Sequence, residues 1–191
     1  MSTFFGIQMV LDLPQRHLIR ERLARCVRTM RKGQNHHEQR AAWLQVATVM
    51  TSTLPMLVLG NWEFVRKRGS NEFTAWKGEL EAMAGWSNHD FQGAEQVPDD
   101  LLLVTVIFLI QAGSNADLAL GDRCDLPESD WYQRVTFGRL IAGVWQLNHL
   151  GVHDSAMYLA PNPDRLGFSR SVLVGGEFPH LRPITAGKAQ T

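Results

Sequence analysis

Leu101-Leu102-Leu103-Val104-Thr105-Val106-Ile107-Phe108-Leu109-Ile110 is an apolar run broken by one polar side chain, Thr105. At about half the length of a bilayer crossing, and rich in β-branched residues, it reads as a strand buried on both faces rather than a membrane span. A strand with no solvated face needs a partner on either side, so this stretch is expected to be central in a sheet.

Downstream, Gly113 to Pro127 reads as loop. Ser129 or Asp130 then opens a helix whose Val135, Phe137, Leu140, Ile141, Val144 and Trp145 form a wide apolar face. Ser155 to Ala160 is the next strand, and strand, helix, strand predicts a right-handed parallel crossover. Upstream, Phe5, Ile7, Met9, Leu11 and Leu13 alternate with Gly6, Gln8 and Asp12, the period-two pattern of a half-buried strand. Pro14 suits the first turn of a helix running to Lys32, and Asn35 is placed to cap a second helix carrying Trp43, Leu44, Val46, Ala47 and Met50. Leu54 to Val65 reads as another helix, closed by Arg66-Lys67-Arg68 at the negative end of its dipole. Ser70 or Asn71 caps one more, with Phe73, Trp76, Leu80 and Met83 on one face. Gly85 to Pro98 is polar loop.

These elements predict an α+β fold. A small mixed sheet of three strands, four if Val172 to Val174 joins, is covered by several helices, in a single domain over 1–191 with a disordered tail at 184–191. The composition is 45% apolar, which excludes a disordered polymer. Cys26 and Cys124 lie far apart without CxxC spacing, so neither a zinc site nor a redox dithiol is indicated. No basic residue precedes Phe4-Phe5-Gly6-Ile7, which argues against a secretory leader and for a soluble, cytoplasmic protein.

The formal net charge of zero conceals a division. Residues 1–68 hold 11 Lys and Arg against 4 Asp and Glu, residues 69–133 hold 2 against 12, and the remainder 6 against 3. The helix from Arg16 to Lys32 carries seven cations and one acid, Glu21. Like charges at i,i+3 and i,i+4 repel, so an acidic neighbour is expected: another protein, the 69–133 region of a second copy, or that region within the same fold. An anionic membrane or nucleic acid is the alternative for this face.

Chemistry-bearing groups are sparse. His149 and His153 stand four apart with Asp154 adjacent, a spacing that on a helix sets two imidazoles toward one metal, and this trio defines a metal-dependent or hydrolytic alternative. Gly151 between them interrupts the helix. Gly113-Ser114-Asn115 and Gly175-Gly176 follow apolar stretches but lack a phosphate-loop pattern, so turns are expected there.

Several pieces resemble the family known as domain of unknown function 1517. Phe4 to Leu13 is similar to its opening strand, Leu54 to Trp62 to its apolar helix closing on an aromatic-Trp pair, and Pro98 to Ala112 to its Val, Thr and Leu strand. Met157-Tyr158-Leu159-Ala160-Pro161 and Phe178-Pro179-His180-Leu181-Arg182-Pro183 resemble its closing motifs. That family has no assigned activity, so the resemblance implies no catalytic residue. The expectation is therefore a non-enzymatic interaction or adaptor protein with no cofactor or small-molecule ligand. Arg16, Arg20, Arg25, Arg28 and Arg31 would contact the partner, with Trp86 as an exposed aromatic in the 85–98 loop.

Overall fold

The computed structural model describes residues 1–13, 18–30, 36–83, 101–160 and 178–186. Among them, no helix is long and apolar enough to cross a membrane. Strand β1 (Ser2–Asp12) is followed by helices α1 (Leu18–Met30) and α2 (His36–Thr53), and then a 3-10 turn (Leu54–Met56) leads into β2 (Leu57–Val65). Helix α3 (Gly69–Met83) precedes β3 (Leu101–Gln111). Helices α4 (Asn115–Cys124) and α5 (Arg134–Trp145), with a 3-10 turn between them (Glu128–Asp130), lead through another (His149–Gly151) to β4 (Val152–Ala160). A two-residue strand, β5 (Arg182–Pro183), comes last.

The α+β class is as expected, but the sheet is larger, with five strands in the order β4-β3-β1-β2-β5. It is also antiparallel throughout rather than mixed. β3 is interior, paired on both edges, while β1 occupies the middle position. The missed strand is β2, read above as helix. Its Val58 and Val65 favour extended backbone, and Gly60-Asn61 is poor in helix propensity. Pro55 sits in the preceding 3-10 turn, and Lys67 has φ 71, so the basic run is a tight turn rather than the end of a helix.

The expected parallel crossover fails for a countable reason. Residues 113–127, read as loop, contain α4: Ser114 caps it by accepting a hydrogen bond from Asp117 N, and Ala116, Asp117, Leu120 and Gly121 are buried along it. With α4 packed on α5, the chain makes two helical passes and returns to the end of the sheet it left. β4 therefore runs antiparallel to β3. β1, α1, α2 and β2 obey the same rule.

The two β-α-α-β units correspond in detail. β1 maps on β3 with a numbering offset of 99 (2 to 101, 12 to 111), and β2 on β4 with an offset of 95 (57 to 152, 65 to 160). The 3-10 turns map with the same 95 (54 to 149). Each outer strand carries a register shift at the matching place, between Val10 and Leu11 in one unit and Leu109 and Ile110 in the other. A pseudo-two-fold axis thus passes between β1 and β3.

All four of these helices cover one face. Phe5, Ile7, Met9, Leu11, Val104, Val106 and Phe108 pack there against Leu23, Trp43, Val46, Phe137 and Ile141. Trp43 lies 4.5 Å from the Phe108 ring, and its Nε1 donates to Ser155 Oγ at 3.1 Å. Its counterpart Phe137 presses on Gly60, where a Cβ would lie 2.5 Å from the ring. α3 and residues Phe178 and Leu181 cover the opposite face, over Phe4, Val10, Leu103 and Ile107. The expected tail at 184–191 starts with held residues: Ile184 packs on the first core, and Thr185 exchanges backbone hydrogen bonds with Tyr132 and Arg134. Residues 187–191, the 85–98 loop and Val172 to Val174 lie outside the described residues.

Two glycines of α3 test this packing. A Cβ at Gly69 would lie 2.5 to 2.7 Å from backbone atoms of Ser2, Thr3 and Phe4, whereas one at Gly78 meets nothing within 4 Å. Gly78→Ala should stabilise the protein by roughly 0.5–1 kcal/mol, since alanine is the better helix former. Gly69→Ala should destabilise it by more than about 2 kcal/mol through the forced backbone shift. Urea unfolding of the two variants checks the opposite signs.

Candidate functional site

The expected trio does not converge. His149 is buried in the 3-10 turn, and His153 is exposed near the start of β4. His153 is the extra residue at the register shift of β4, and Asp154 beside it turns to the α3 side of the sheet. There it meets Lys77 of α3, with 3.4 Å between Nζ and Oδ2. Among the described residues no group of three His, Cys, Asp or Glu is placed to hold a metal. Gly113-Ser114-Asn115 is the turn and cap of α4, with Gly113 at φ 76 and its N–H donating to Asp117 Oδ2 at 2.7 Å.

The basic helix is only partly a surface. Arg20 is buried and donates through Nε and Nη2 to the carbonyl of Leu13, at 3.2 and 2.8 Å, which ties α1 to the end of β1. It is a positioning residue for the fold, not part of an outer contact face. Its guanidinium needs a buried carbonyl to satisfy its donors, and the sequence pattern of cations carries no sign of that. Arg25 and Arg28 are exposed, Arg25 lying 3.4 Å from Glu21 one turn back. Arg16, Arg31 and Trp86 lie outside the described residues. The acidic α3 covers the opposite face of the sheet, so it is not the counter-surface of α1.

Sequence reasoning missed a groove of about 600 Å³ between the last residues of β2 and α4. Trp62, Phe64 and Arg66 line one wall, Gly121, Asp122, Cys124 and Asp125 the other, and Trp131 closes one end. It exists because the two halves differ here. α1 lies against β4, burying Leu23, Cys26 and Val27, whereas the shorter α4 stands away from β2. Gly121 adds to the opening, since a Cβ there would strike the Arg66 guanidinium.

The aromatic wall is held firmly. Trp62 and Trp131 meet edge to face, 5.7 Å between centroids and 70° between planes. Trp62 Nε1 donates to the Trp131 carbonyl at 3.0 Å, and Trp131 Nε1 to that of Leu126 at 2.9 Å. The Arg66 guanidinium lies 5.2 Å from the Phe64 ring centre, and its Nε is 3.7 Å from the buried Asp117 carboxylate. Arg66 thus pairs with Asp117 while its side chain stays about half exposed, and Asp122 and Asp125 are exposed without an ion pair among the described residues. The signals a sequence could have offered were Ser114 and Asp117 as helix cap and the alternation of Trp62 and Phe64.

Cys124, the one thiol in the groove wall, has its pKa pushed up to about 12 by burial, which outweighs the nearby Arg139 and Arg66. The nucleophilic thiolate is therefore scarce at neutral pH. In the native protein at pH 8, Cys124 should react with iodoacetamide at least about 100-fold more slowly than a free thiol. Mass spectrometry before and after denaturation reads this directly.

A polar row crosses the α3 side of the sheet. Asn61, Gln8, Thr105 and Tyr158 are direct cross-strand neighbours on four strands, which accounts for the one polar residue in the apolar run. His180 shares a 2.7 Å hydrogen bond with Gln8 Oε1. Beside the row, burial and then the charge of Glu72 raise the pKa of Glu63, despite hydrogen bonds from Asn61 and Trp76. A carboxyl with a raised folded pKa retains its proton longer in the folded chain, so it lowers stability as pH climbs from 4.5 through the folded value. His180 acts oppositely, since burial lowers its pKa and stability rises as pH increases toward 6.5. Glu63→Gln should therefore remove a loss of stability above pH 4.5, and His180→Asn a gain just below pH 6.5, in urea midpoints measured from pH 4 to 8.

No family model, curated protein or solved structure matches this chain.

Proposed function

We propose that the protein is a non-enzymatic interaction module whose contact site is the groove between β2 and α4. The observation that carries this reading is a pair of tryptophans, braced by hydrogen bonds to backbone, in the wall of an open groove. Aromatic anchors that are already ordered lose little conformational freedom on binding, and Trp and Arg dominate the energetics of protein contacts. The protonated state of Cys124 supports binding rather than nucleophilic chemistry. Free thiols at Cys26 and Cys124 fit the cytoplasmic location proposed with it. Kinship with family 1517 is likewise proposed, on its short motifs alone.

A second reading rests on the outer face of α1, where Leu18 is 75% exposed beside Arg22, Arg25 and Arg28. That face would meet an acidic protein surface, a second copy, an anionic membrane or nucleic acid. Placing a photo-crosslinking phenylalanine analogue at Glu128, exposed in the turn beside Trp131, in one version and at Arg25 in another separates the two readings. The groove reading expects a discrete adduct in the native host from position 128, abolished by Asp125→Lys, and none from position 25. Adducts from position 25 alone would move the contact site to α1.

A further inference from the structure

We infer that the groove takes an extended, cationic peptide segment, which adds as a strand to the outer edge of β2 beyond Gly60. This rests on the reading of the groove as the contact site and names its occupant.

The edge already accepts strand pairing. β5 aligns Pro183 with Leu59 and Arg182 with Gly60, and Ile184 N donates to Val58 O at 3.0 Å. Continued antiparallel pairing would carry residues 181 back to 178 along Asn61 to Phe64. They turn away instead: Leu181 N donates to Phe178 O, Phe178 and Leu181 enter the core beneath α3, and His180 binds Gln8. Backbone groups alternate in direction along an antiparallel strand. Since Val58 bonds outward to Ile184, Trp62 and Phe64 also direct their N–H and C=O groups to the outer edge. Among the described residues no strand pairs there.

The groove runs along these same residues, Trp62 to Arg66, with α4 as its far wall. A cleft between an edge strand and a helix suits an extended peptide: main-chain hydrogen bonds supply affinity, and alternate side chains enter the cleft. Charge sets the preference. The charged residues lining the groove are Glu63, Asp122 and Asp125 against Arg66, and Asp122 and Asp125 are exposed on the far wall. The Arg66 charge lies beside Asp117 and against Phe64, so it opposes an incoming cation weakly. Lys or Arg side chains entering the cleft would have Asp122 and Asp125 on one side and the faces of Trp62 and Trp131 on the other, combining ion pairing with cation–π contact.

The probe is a phage-displayed pool of random octapeptides selected on the full chain. The expected result is enrichment of sequences that alternate apolar residues with Lys or Arg. A synthetic copy of one enriched peptide should bind with fluorescence quenching of the tryptophans, weaken at least tenfold against Asp122→Lys/Asp125→Lys, and slow amide exchange at Trp62 and Phe64. Methylating alternate backbone nitrogens of that peptide, in the two complementary sets, should abolish binding for the set that faces β2. Enrichment of acidic peptides, or equal affinity for the double variant with an unchanged circular dichroism melt, overturns the cationic occupant. Equal binding of the unmethylated peptide and the weaker of the two methylated ones overturns strand addition while leaving the groove as contact site. Failure of every peptide, together with adducts only from position 25, removes both.

Discussion

Eleven consecutive antiparallel pairs join β1 to β3, from Ser2 with Gln111 to Asp12 with Leu101, and the rest of the structure depends on them. Both strands are buried along nearly their whole length, so their backbone groups must find partners within the sheet. A one-residue slip of β1 against β3 would move Phe5, Ile7 and Met9 to the α3 side while Val106 and Phe108 stayed on the four-helix side. The register is thus fixed by two cores at once. The outer strands, helices and groove take their positions from it.

Around this pair the chain builds one β-α-α-β unit twice. The unit leaves the sheet, makes two helical passes and returns beside its own first strand, which forces antiparallel pairing whatever the side chains are. Equivalent aromatic residues bind the helices to the neighbouring unit, Trp43 over Ser155 and Phe137 over Gly60. Where the halves agree, the interior is filled. Where they differ, at the shorter α4 and the spare edge of β2, the groove opens. The candidate site is therefore a local departure from a repeated design, and its acidic wall belongs to the same helix that departs.

Legibility varied from element to element for physical reasons. The 101–110 strand was readable because ten residues with one polar interruption leave few alternatives. Half of each neighbouring pattern was plain: Phe137, Leu140, Ile141 and Val144 of α5 are buried as read while Val135 and Trp145 are exposed, and β1 is a strand as its period of two indicates but α3 also buries the face read as solvated. β2 was misread because Leu57, Val58 and Leu59 have no alternation, the register shift at this end of the strand placing consecutive apolar residues on both faces. α4 was misread because its apolar side is only Ala116, Leu120 and Gly121, a weak stripe that becomes helical when α5 packs on it. The repeat was invisible for a different reason: across the paired strands, 2–12 with 101–111 and 57–65 with 152–160, no matched position has the same residue.

The amino-acid sequence by itself determined the α+β class, the burial of the 101–110 strand and the concentration of cations on α1, because these follow from local periodicity and composition. Only the tertiary structure decided strand direction, the exposure of each arginine and the existence of the groove. Arg20 shows why: it stands at the edge of the apolar stripe, three and seven residues before Leu23 and Val27, and the end of β1 brings the Leu13 carbonyl against it and takes it out of solvent. Trp62 and Trp131, 69 residues apart, meet because a strand edge and a turn between two helices arrive at the same place. Contacts between residues so distant in sequence depend on how the helical passes return, and no local pattern of side chains encodes that.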